Sequence, residues 1–212
     1  MKKYILFLAL LASLAAPQNA GAAVPVPVAL TPAQQKDLAR LEDYMNSLRA
    51  ITARFLQVSE GGAIREGELA LLRPGKMRIT YAPPDKDFMV ADGTFLHSWD
   101  SEIKGQTSLP LSSTPAAFLL RDKISFHDDV VLTGFSHENH LFRVTLTGKE
   151  NPEEGALTLI FEDNPLLLRQ WRVLDAQGNT TGVQLENLQT NVTFPKNTFI
   201  FVSPKRSQAY PR

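Results

Sequence analysis

The chain has 212 residues, with 22 lysines and arginines against 22 aspartates and glutamates, and it has no cysteine. The basic residues are scattered, mostly singly, so the sequence lacks the polybasic cluster expected of a nucleic-acid-binding protein. Without cysteine we expect neither disulfides nor a lipid attached to an N-terminal cysteine, which separates this chain from lipid-anchored receptors.

Residues 1–22 have the three parts of a secretory signal peptide. Two lysines precede an apolar run that is interrupted only by Ser13, and the small residues Ala20-Gly21-Ala22 follow as a cleavage site. The run is shorter than the ~18 residues that a membrane-spanning helix needs, which disfavours an uncleaved anchor. We therefore expect an exported protein.

Residues 23–30 predict an extended lead-in, because Pro25 and Pro27 alternate with valines and cannot continue a helix. A helix is predicted from Thr31, where Thr31 as N-cap and Gln34 form a capping box around Pro32. Its apolar residues recur at spacings of three and four and so share one face. They are Leu38, Leu41, Met45 and Leu48. We expect one domain over residues 31–212, with this stripe buried in it.

From Ile51 the hydrophobic period changes from helical to alternating, which predicts an antiparallel meander and not βαβ units. The predicted strands cover residues 51–59, 63–72, 76–82, 88–91, 94–100, 130–136, 141–147, 156–162, 169–175, 181–188 and 198–202. Side chains alternate across a strand, so Arg73 falls on an otherwise apolar face. The apolar residues of that face are Leu69, Leu71, Met77, Ile79 and Tyr81.

A second helix is predicted over residues 112–121, where Ser113 or Thr114 can cap and Pro115 can open it. It is apolar nearly all round, with Phe118-Leu119-Leu120 at its end, so it must be covered on several sides or plug a hole. Two short helices over about ten strands leave either a side-chain-filled barrel or a concave cavity. The pattern does not choose between them.

Two polar groups are candidate sites of chemistry. His137 and His140 share a predicted turn with Glu138, and a solvated hairpin is preferred to a metal site because no further ligand is indicated. His127-Asp128-Asp129 has no nucleophile partner in the sequence, and no phosphate loop, dinucleotide fingerprint or nucleophile elbow occurs. We expect no enzyme activity, no metal and no cofactor.

The order and spacing of several short motifs resemble the LolA family of periplasmic lipoprotein carriers. The motifs are Phe55-x-Gln57, Gly67-x-Leu69, Arg73-Pro74, Tyr81-x-x-Pro84, Val90-x-Asp92-Gly93, Pro115-Ala116-x-Phe118-Leu119-Leu120, Asp175-x-x-Gly178-Asn179-x-Thr181 and Phe199-x-Phe201-x-x-Pro204. They extend over nearly all of the chain after the predicted signal peptide. The resemblance implies a mainly β fold, an unclosed antiparallel half-barrel of about 11 strands, with a lid of short α-helices over an apolar cavity that receives acyl chains.

The resemblance also implies roles for single residues. Arg73 would latch the lid through hydrogen bonds to helix carbonyls, whereas without the resemblance a side chain that reaches solvent is an equal alternative. The expected cavity lining is Phe55, Leu69, Leu71, Met77, Ile79 and Tyr81, with ordinary core packing as the alternative. The expected lid residues are Leu38, Leu41, Met45, Leu48, Phe118, Leu119 and Leu120.

The function implied is that of a soluble, monomeric periplasmic chaperone for acylated lipoproteins. Its implied partners are an inner-membrane ABC-type releasing complex of the LolCDE kind and, as a further candidate, an outer-membrane receptor of the LolB kind. The alternative is a sensing module on the same fold, or a carrier of another amphiphile. This hypothesis depends on an apolar hollow lying vacant under the helices.

Overall fold

The computed structural model describes residues 25–204. The predicted signal peptide, residues 1–22, lies outside the described residues, as do residues 205–212. None of the helices in the described part of the chain is long and apolar enough to cross a membrane.

Eleven antiparallel strands form a single unclosed sheet. In chain order they are β1 (Ala50–Val58), β2 (Ile64–Leu72), β3 (Lys76–Tyr81), β4 (Phe88–Asp92), β5 (Phe95–Asp100), β6 (Gly105–Pro110), β7 (Val130–Glu138), β8 (Leu141–Gly148), β9 (Gly155–Glu162), β10 (Leu167–Asp175) and β11 (Thr180–Thr190). Their order in the sheet is β6-β5-β4-β3-β2-β1-β11-β10-β9-β8-β7. Consecutive strands are therefore neighbours, except that β1 pairs with β11 and that β6 and β7 form the two opposite edges.

The predicted N-terminal helix is α1 (Pro32–Ser47), and it begins as its sequence indicates. The Thr31 hydroxyl accepts from the Gln34 backbone N–H, and the Gln34 side chain accepts from the Thr31 N–H, which completes the capping box. Leu41 and Met45 on its apolar stripe are fully buried. Just before α1, the lead-in touches an edge of the sheet, because the Val28 N–H donates to the Leu132 carbonyl of β7 at 2.9 Å.

The second helix is shorter than predicted. It consists of a 3-10 turn (Leu111–Ser113) and α2 (Ala116–Leu119), with Pro115 as the N-cap. The Ser113 and Thr114 hydroxyls do not cap α2, because they donate to the carbonyls of Pro110 and Leu111. The predicted helix over residues 112–121 is therefore wrong in length and in its cap.

Two strand predictions were also wrong. Strand β6 was missed, because it lies at an edge, is mostly exposed and lacks apolar alternation. Residues 198–202, predicted as a strand, form a turn followed by irregular chain. Their alternation is real, since Phe199 is buried and Ile200 exposed, but the segment packs on the face of the sheet instead of on its edge.

The sheet has two unlike faces. The inner face packs against α1 and α2 in one apolar cluster, and Phe126, Phe142 and Phe161 are its largest fully buried side chains. The outer face carries the polar side chains of most strands, but over β3–β5 it is covered by residues 192–204. In β4, Ala91 belongs to the inner cluster, whereas Phe88 faces Phe201 on the outer face. In β4, therefore, Ala91 points inward and Phe88 points outward.

Candidate functional site

Arg73 lies in the turn that joins β2 to β3, and its side chain is buried, with only 6% of the residue exposed. Its Nε donates to the Leu119 carbonyl at 2.7 Å, and its Nη1 donates to the Met45 carbonyl at 2.5 Å. Both carbonyls lie in the last turn of a helix, where backbone oxygens lack i to i+4 partners. The Met45 carbonyl also accepts from the N–H of Leu48, the C-cap of α1, at 3.3 Å. One side chain thus joins the ends of α1 and α2 to the sheet.

The charge of Arg73 persists at neutral pH despite its environment. Burial, followed by the positive charge of Arg49, lowers the pKa of Arg73 to about 10. The guanidinium therefore remains protonated well above neutral pH, and both of its hydrogen bonds are charge-assisted.

The backbone of the same turn makes two more hydrogen bonds, one to the end of α2 and one to the link between α1 and β1. The Gly75 N–H donates to the Leu120 carbonyl at 2.8 Å, and the Arg73 N–H donates to the Arg49 carbonyl at 2.8 Å. Gly75 has a φ of +78°, and a Cβ added to it would lie 2.8 Å from the Gly93 Cα. Glycine is therefore required where this turn passes the hairpin between β4 and β5.

Helix α1 is fixed to β9–β10 and the turn between them by contacts that do not involve Arg73. The Leu168 N–H donates to the Tyr44 hydroxyl at 3.0 Å, and the Tyr44 ring meets Phe161 edge to face at 6.0 Å. Burial raises the pKa of Tyr44, so its hydroxyl stays protonated. Nearer the start of the helix, Arg40 donates to Asp163 at 2.6 Å, and this hydrogen bond lowers the pKa of Asp163.

The segment 121–129 forms a third part of the cover over the inner face, and the sequence analysis did not identify it. The Asn46 side chain donates to the Ile124 carbonyl at 2.9 Å and accepts from the Ile124 N–H at 2.8 Å. The Phe126 N–H donates to Glu42 at 2.8 Å, and its ring stacks on Phe118 at 6.3 Å. The available signal was Ile124-x-Phe126, two apolar residues of one alternating phase within a charged stretch.

All of the predicted lining and lid residues come together in one cluster. Leu38 and Ile79 are partly buried, and the others are buried. They are Phe55, Leu69, Leu71, Met77 and Tyr81 on the sheet, and Leu41, Met45, Leu48, Phe118, Leu119 and Leu120 in the helical layer. The Phe55 ring fits beside Tyr81 because Gly67 lies opposite, where a Cβ would come within 2.9 Å of the ring.

Tyr81 marks the polar end of this inner surface. Its hydroxyl donates to Gln57 at 2.9 Å, and the Arg65 guanidinium lies 3.6 Å from the centre of its ring. Arg65 is held in place by Asp85 at 3.0 Å and Asp87 at 2.7 Å. The apolar surface is therefore bounded by charge on this side.

The helices occupy the space that the sequence analysis expected to be vacant. Between the helical layer and the inner face, side chains such as Leu41, Met45 and Phe126 are fully buried. Two pockets, of about 500 and 410 Å³, open elsewhere on the described chain. Both lie on the outer face, one around Ile160 and Arg169 and the other around His97 and Phe201. The expectation of a vacant hollow is therefore wrong for this form, which is a closed one: the molecule's own side chains pack between the helices and the inner face, and a hollow would open only if the helices moved away.

The histidines that were candidates for a metal site or for acid-base chemistry have other neighbours. His137 stacks on Phe142 with ring centres 3.8 Å apart, and its Nε2 lies 3.3 Å from Asp163. His127 is exposed and lies 3.7 Å from Glu42. Within residues 25–204, no group of three or more His, Asp or Glu side chains is arranged to hold a metal ion.

Comparison with known proteins gives one family. Residues 46–202 match the model of the family described as outer membrane lipoprotein carrier protein LolA. A protein of Pseudomonas entomophila named outer-membrane lipoprotein carrier protein is 29% identical over 185 residues, which cover 82% of this chain and 87% of that protein. A protein of the same name from Chromobacterium violaceum is 27% identical over 182 residues, with the same coverage.

Solved structures resemble this chain more distantly. A LolA superfamily protein from Nitrosomonas europaea superposes with a TM-score of 0.46 at 8% identity, over 77% of this chain and 97% of that one. A putative outer membrane lipoprotein-sorting protein domain from Vibrio parahaemolyticus gives 0.47 at 11% identity, over 77% and 95% of the two chains.

Proposed function

This chain belongs to the LolA family of outer membrane lipoprotein carrier proteins, and we propose that it carries lipoproteins across the periplasm. Their acyl chains would lie between the helical layer and the inner face of the sheet. The observation that carries this proposal is the pair of hydrogen bonds from Arg73 to Met45 and Leu119, which ties both helices over an apolar surface.

A carrier of acyl chains must avoid binding too tightly. Burial of hydrocarbon gains ~0.8 kcal/mol per methylene, so full burial of two or three acyl chains would approach the limit of non-covalent affinity. Release then requires either incomplete burial of the acyl chains or a competing closed state whose own stability offsets part of that gain. The packed interior of this structure is suited to be that state.

Loading would proceed by displacement. Entering acyl chains would replace the apolar side chains of α1, α2 and segment 121–129 on the inner face, so Arg73 would lose both of its carbonyl acceptors. When the cargo leaves, the helices return and the two charge-assisted bonds form again. Arg73 is then the latch, and the lining and lid residues named above are the surfaces that cargo separates.

The remaining roles follow from the same proposal. No covalent chemistry is involved, and energy for loading comes from an inner-membrane ABC-type releasing complex, since the sequence has no nucleotide-binding motif. The protein acts as a soluble monomer and delivers its cargo to the outer membrane. Mass spectrometry of the protein purified from periplasm should detect a triacylated lipoprotein bound one to one. Recovery of the protein without any acylated cargo, under conditions in which lipoproteins are exported, would refute carriage.

The latch is tested by Arg73→Leu. A leucine removes both charge-assisted hydrogen bonds of the closed form and leaves the Leu119 carbonyl without its side-chain donor, whereas the Met45 carbonyl keeps only the Leu48 N–H at 3.3 Å. The loaded form is therefore favoured and cargo is retained. A hydrogen bond to a charged group contributes ~1.5–3 kcal/mol, so transfer to acceptor membranes should slow by about tenfold or more. The measurement is the rate of lipoprotein transfer from purified complex to vesicles.

Arg54→Leu is the matched control, because Arg54 lies on the outer face of β1 with 60% of its side chain exposed. We expect this variant to transfer cargo at the wild-type rate. The latch role is wrong if Arg73→Leu also releases cargo at that rate.

A further inference from the structure

The C-terminal segment gives the outer face an apolar and basic patch. Phe199 is buried and Phe201 lies against the sheet, so Ile200 and Val202 point away from it and are 52% and 59% exposed. Phe95, at the start of β5, is 42% exposed and lies beside His97, which in turn contacts Phe201. We call Phe95, Ile200 and Val202, together with Lys76 and Lys196, the C-terminal patch.

The patch stands on a well-packed base. The Phe201 ring lies 5.3 Å from Phe88 and 5.1 Å from His97. Arg78 donates to the Thr198 carbonyl at 3.4 Å, and the Phe194 and Phe199 rings meet edge to face at 5.0 Å. The segment is therefore held by its inward side chains. Its outward apolar side chains, Ile200 and Val202, leave more than half of their surface exposed.

The charges around the patch are mainly positive. Lys76 and Lys196 line the outer-face pocket of about 410 Å³ beside Ile200 and Phe201. The acidic residue of that pocket is Asp92, which is already engaged by His97 at 3.1 Å and by two backbone N–H groups. Apolar side chains are thus exposed next to a pocket whose two lysines and one aspartate leave a net charge of +1.

We propose that the C-terminal patch docks this protein on the surface of an anionic phospholipid bilayer. Exposed apolar side chains that enter the headgroup region, flanked by lysines that meet phosphate groups, are the combination by which proteins bind such surfaces reversibly. The inference rests on the proposed function, because a carrier that delivers acyl chains must come close to its target membrane. The patch lies on the outer face, so docking leaves the helices over the inner face free to move.

Vesicle flotation tests the proposal with the full mature protein. It should bind vesicles of phosphatidylethanolamine and phosphatidylglycerol, bind phosphatidylcholine vesicles more weakly, and lose affinity as salt is added. The double variant Lys76→Glu, Lys196→Glu should lose at least about fivefold in affinity for each lysine, since each basic residue near an anionic surface contributes on that scale. The double variant Ile200→Ser, Val202→Ser should weaken binding to both kinds of vesicle.

Matched controls lie on other surfaces of the same chain. Ile64 is 65% exposed in β2, and Lys36 is exposed on α1. Ile64→Ser and Lys36→Glu should bind vesicles as the wild type does. The proposal is overturned if wild-type protein does not float with anionic vesicles, or if the patch variants bind no more weakly than these controls.

The result is separable from the test of carriage. The amount of co-purifying lipoprotein and the melting temperature are also measured for every variant. Neither should change when solvent-exposed patch residues are replaced. Loss of vesicle binding with cargo retained supports the patch, whereas failure to find cargo in the wild type refutes carriage without altering the vesicle result.

Discussion

Helices α1 and α2 cover the same apolar surface, yet they are stabilised in different ways. Helix α1 has 16 residues, a complete capping box and side-chain bonds from Arg40, Tyr44 and Asn46 to other parts of the fold. Helix α2 has four residues and no side-chain cap. A helix of that length has no stability of its own, so its position depends on its contacts, above all on Arg73 and Gly75 at its end.

This difference in stabilisation indicates which helix separates from the sheet first. Local opening has a low free energy where few independent contacts must break. We infer that α2 leaves the sheet before α1 does, with Arg73 as the contact that couples the two movements. Three substitutions test this difference between the helices.

The largest expected effect concerns the part of α1 that belongs to the core. Leu41 is fully buried, and Leu41→Ala should lower the free energy of unfolding by ~2–5 kcal/mol, as for other large-to-small core substitutions. Urea denaturation followed by circular dichroism measures it. A loss below about 1 kcal/mol would mean that α1 is as loosely held as α2, contrary to the comparison.

A smaller effect is expected at the contact between α1 and segment 121–129. Asn46→Ala leaves the backbone groups of Ile124 without partners, at a cost of ~1–3 kcal/mol. Amide exchange at Ile124 and Phe126 should accelerate, while that of Leu41 and Met45 should not. Gln35→Ala, at an exposed position on the same helix, serves as control. Equal acceleration in both variants would show that segment 121–129 is not held by Asn46.

The smallest effect is a pH dependence that the wild type lacks. The pKa of Arg73 is lowered to about 10 in the folded protein, below its value in the unfolded chain. Only above about pH 10 does the folded protein lose a proton that the unfolded chain still binds. The contribution of Arg73 to stability therefore rises with pH only above about 10 and is constant in the neutral range. Arg73→Lys would place a group with an ordinary pKa of ~10.4 in the same buried site, which lowers that pKa towards neutrality.

Transfer rates measured at several pH values would detect this change. As pH rises through the lowered pKa of the buried lysine, the closed form no longer has to bury a charge. The closed form therefore gains stability relative to a loaded form in which the lysine is exposed, and release should accelerate. Wild-type protein should show no such trend between pH 7 and about 9. A flat profile for Arg73→Lys would mean that the pKa of the lysine is the same in the closed and loaded forms, so that position 73 is not buried on closing.

The sequence predicted those parts of the fold in which one face of an element is buried along its whole length. The alternation of Phe142, Val144 and Leu146 predicted β8, and all three are buried on the inner face. Strand β6 carries no such signal, because its pairing with β5 is made by the backbone at an exposed edge. Phe199 and Phe201 do alternate with exposed residues. Such alternation shows that one side of the segment is buried, but it does not show whether the segment pairs as a strand or packs on a face of the sheet.

The same limit applies to the candidate site. Arg73 was recognisable as a charge on an apolar face. Its acceptors lie 28 and 46 residues away in the chain, and their positions depend on how two helices pack on the sheet. Whether the interior is hollow or filled also depends on those positions. The identity of the residues under the helices was therefore predictable, and the closed packing of this structure was not.

The two free edges of the sheet, β6 and β7, are consecutive in the chain, and residues 111–129 run from one edge to the other. That connection contains α2, so the same segment covers part of the inner face and joins the two edges of the sheet. Movement of α2 therefore acts on the connection between the two edges, and the separation of β6 and β7 is coupled to the position of the helix through the chain itself.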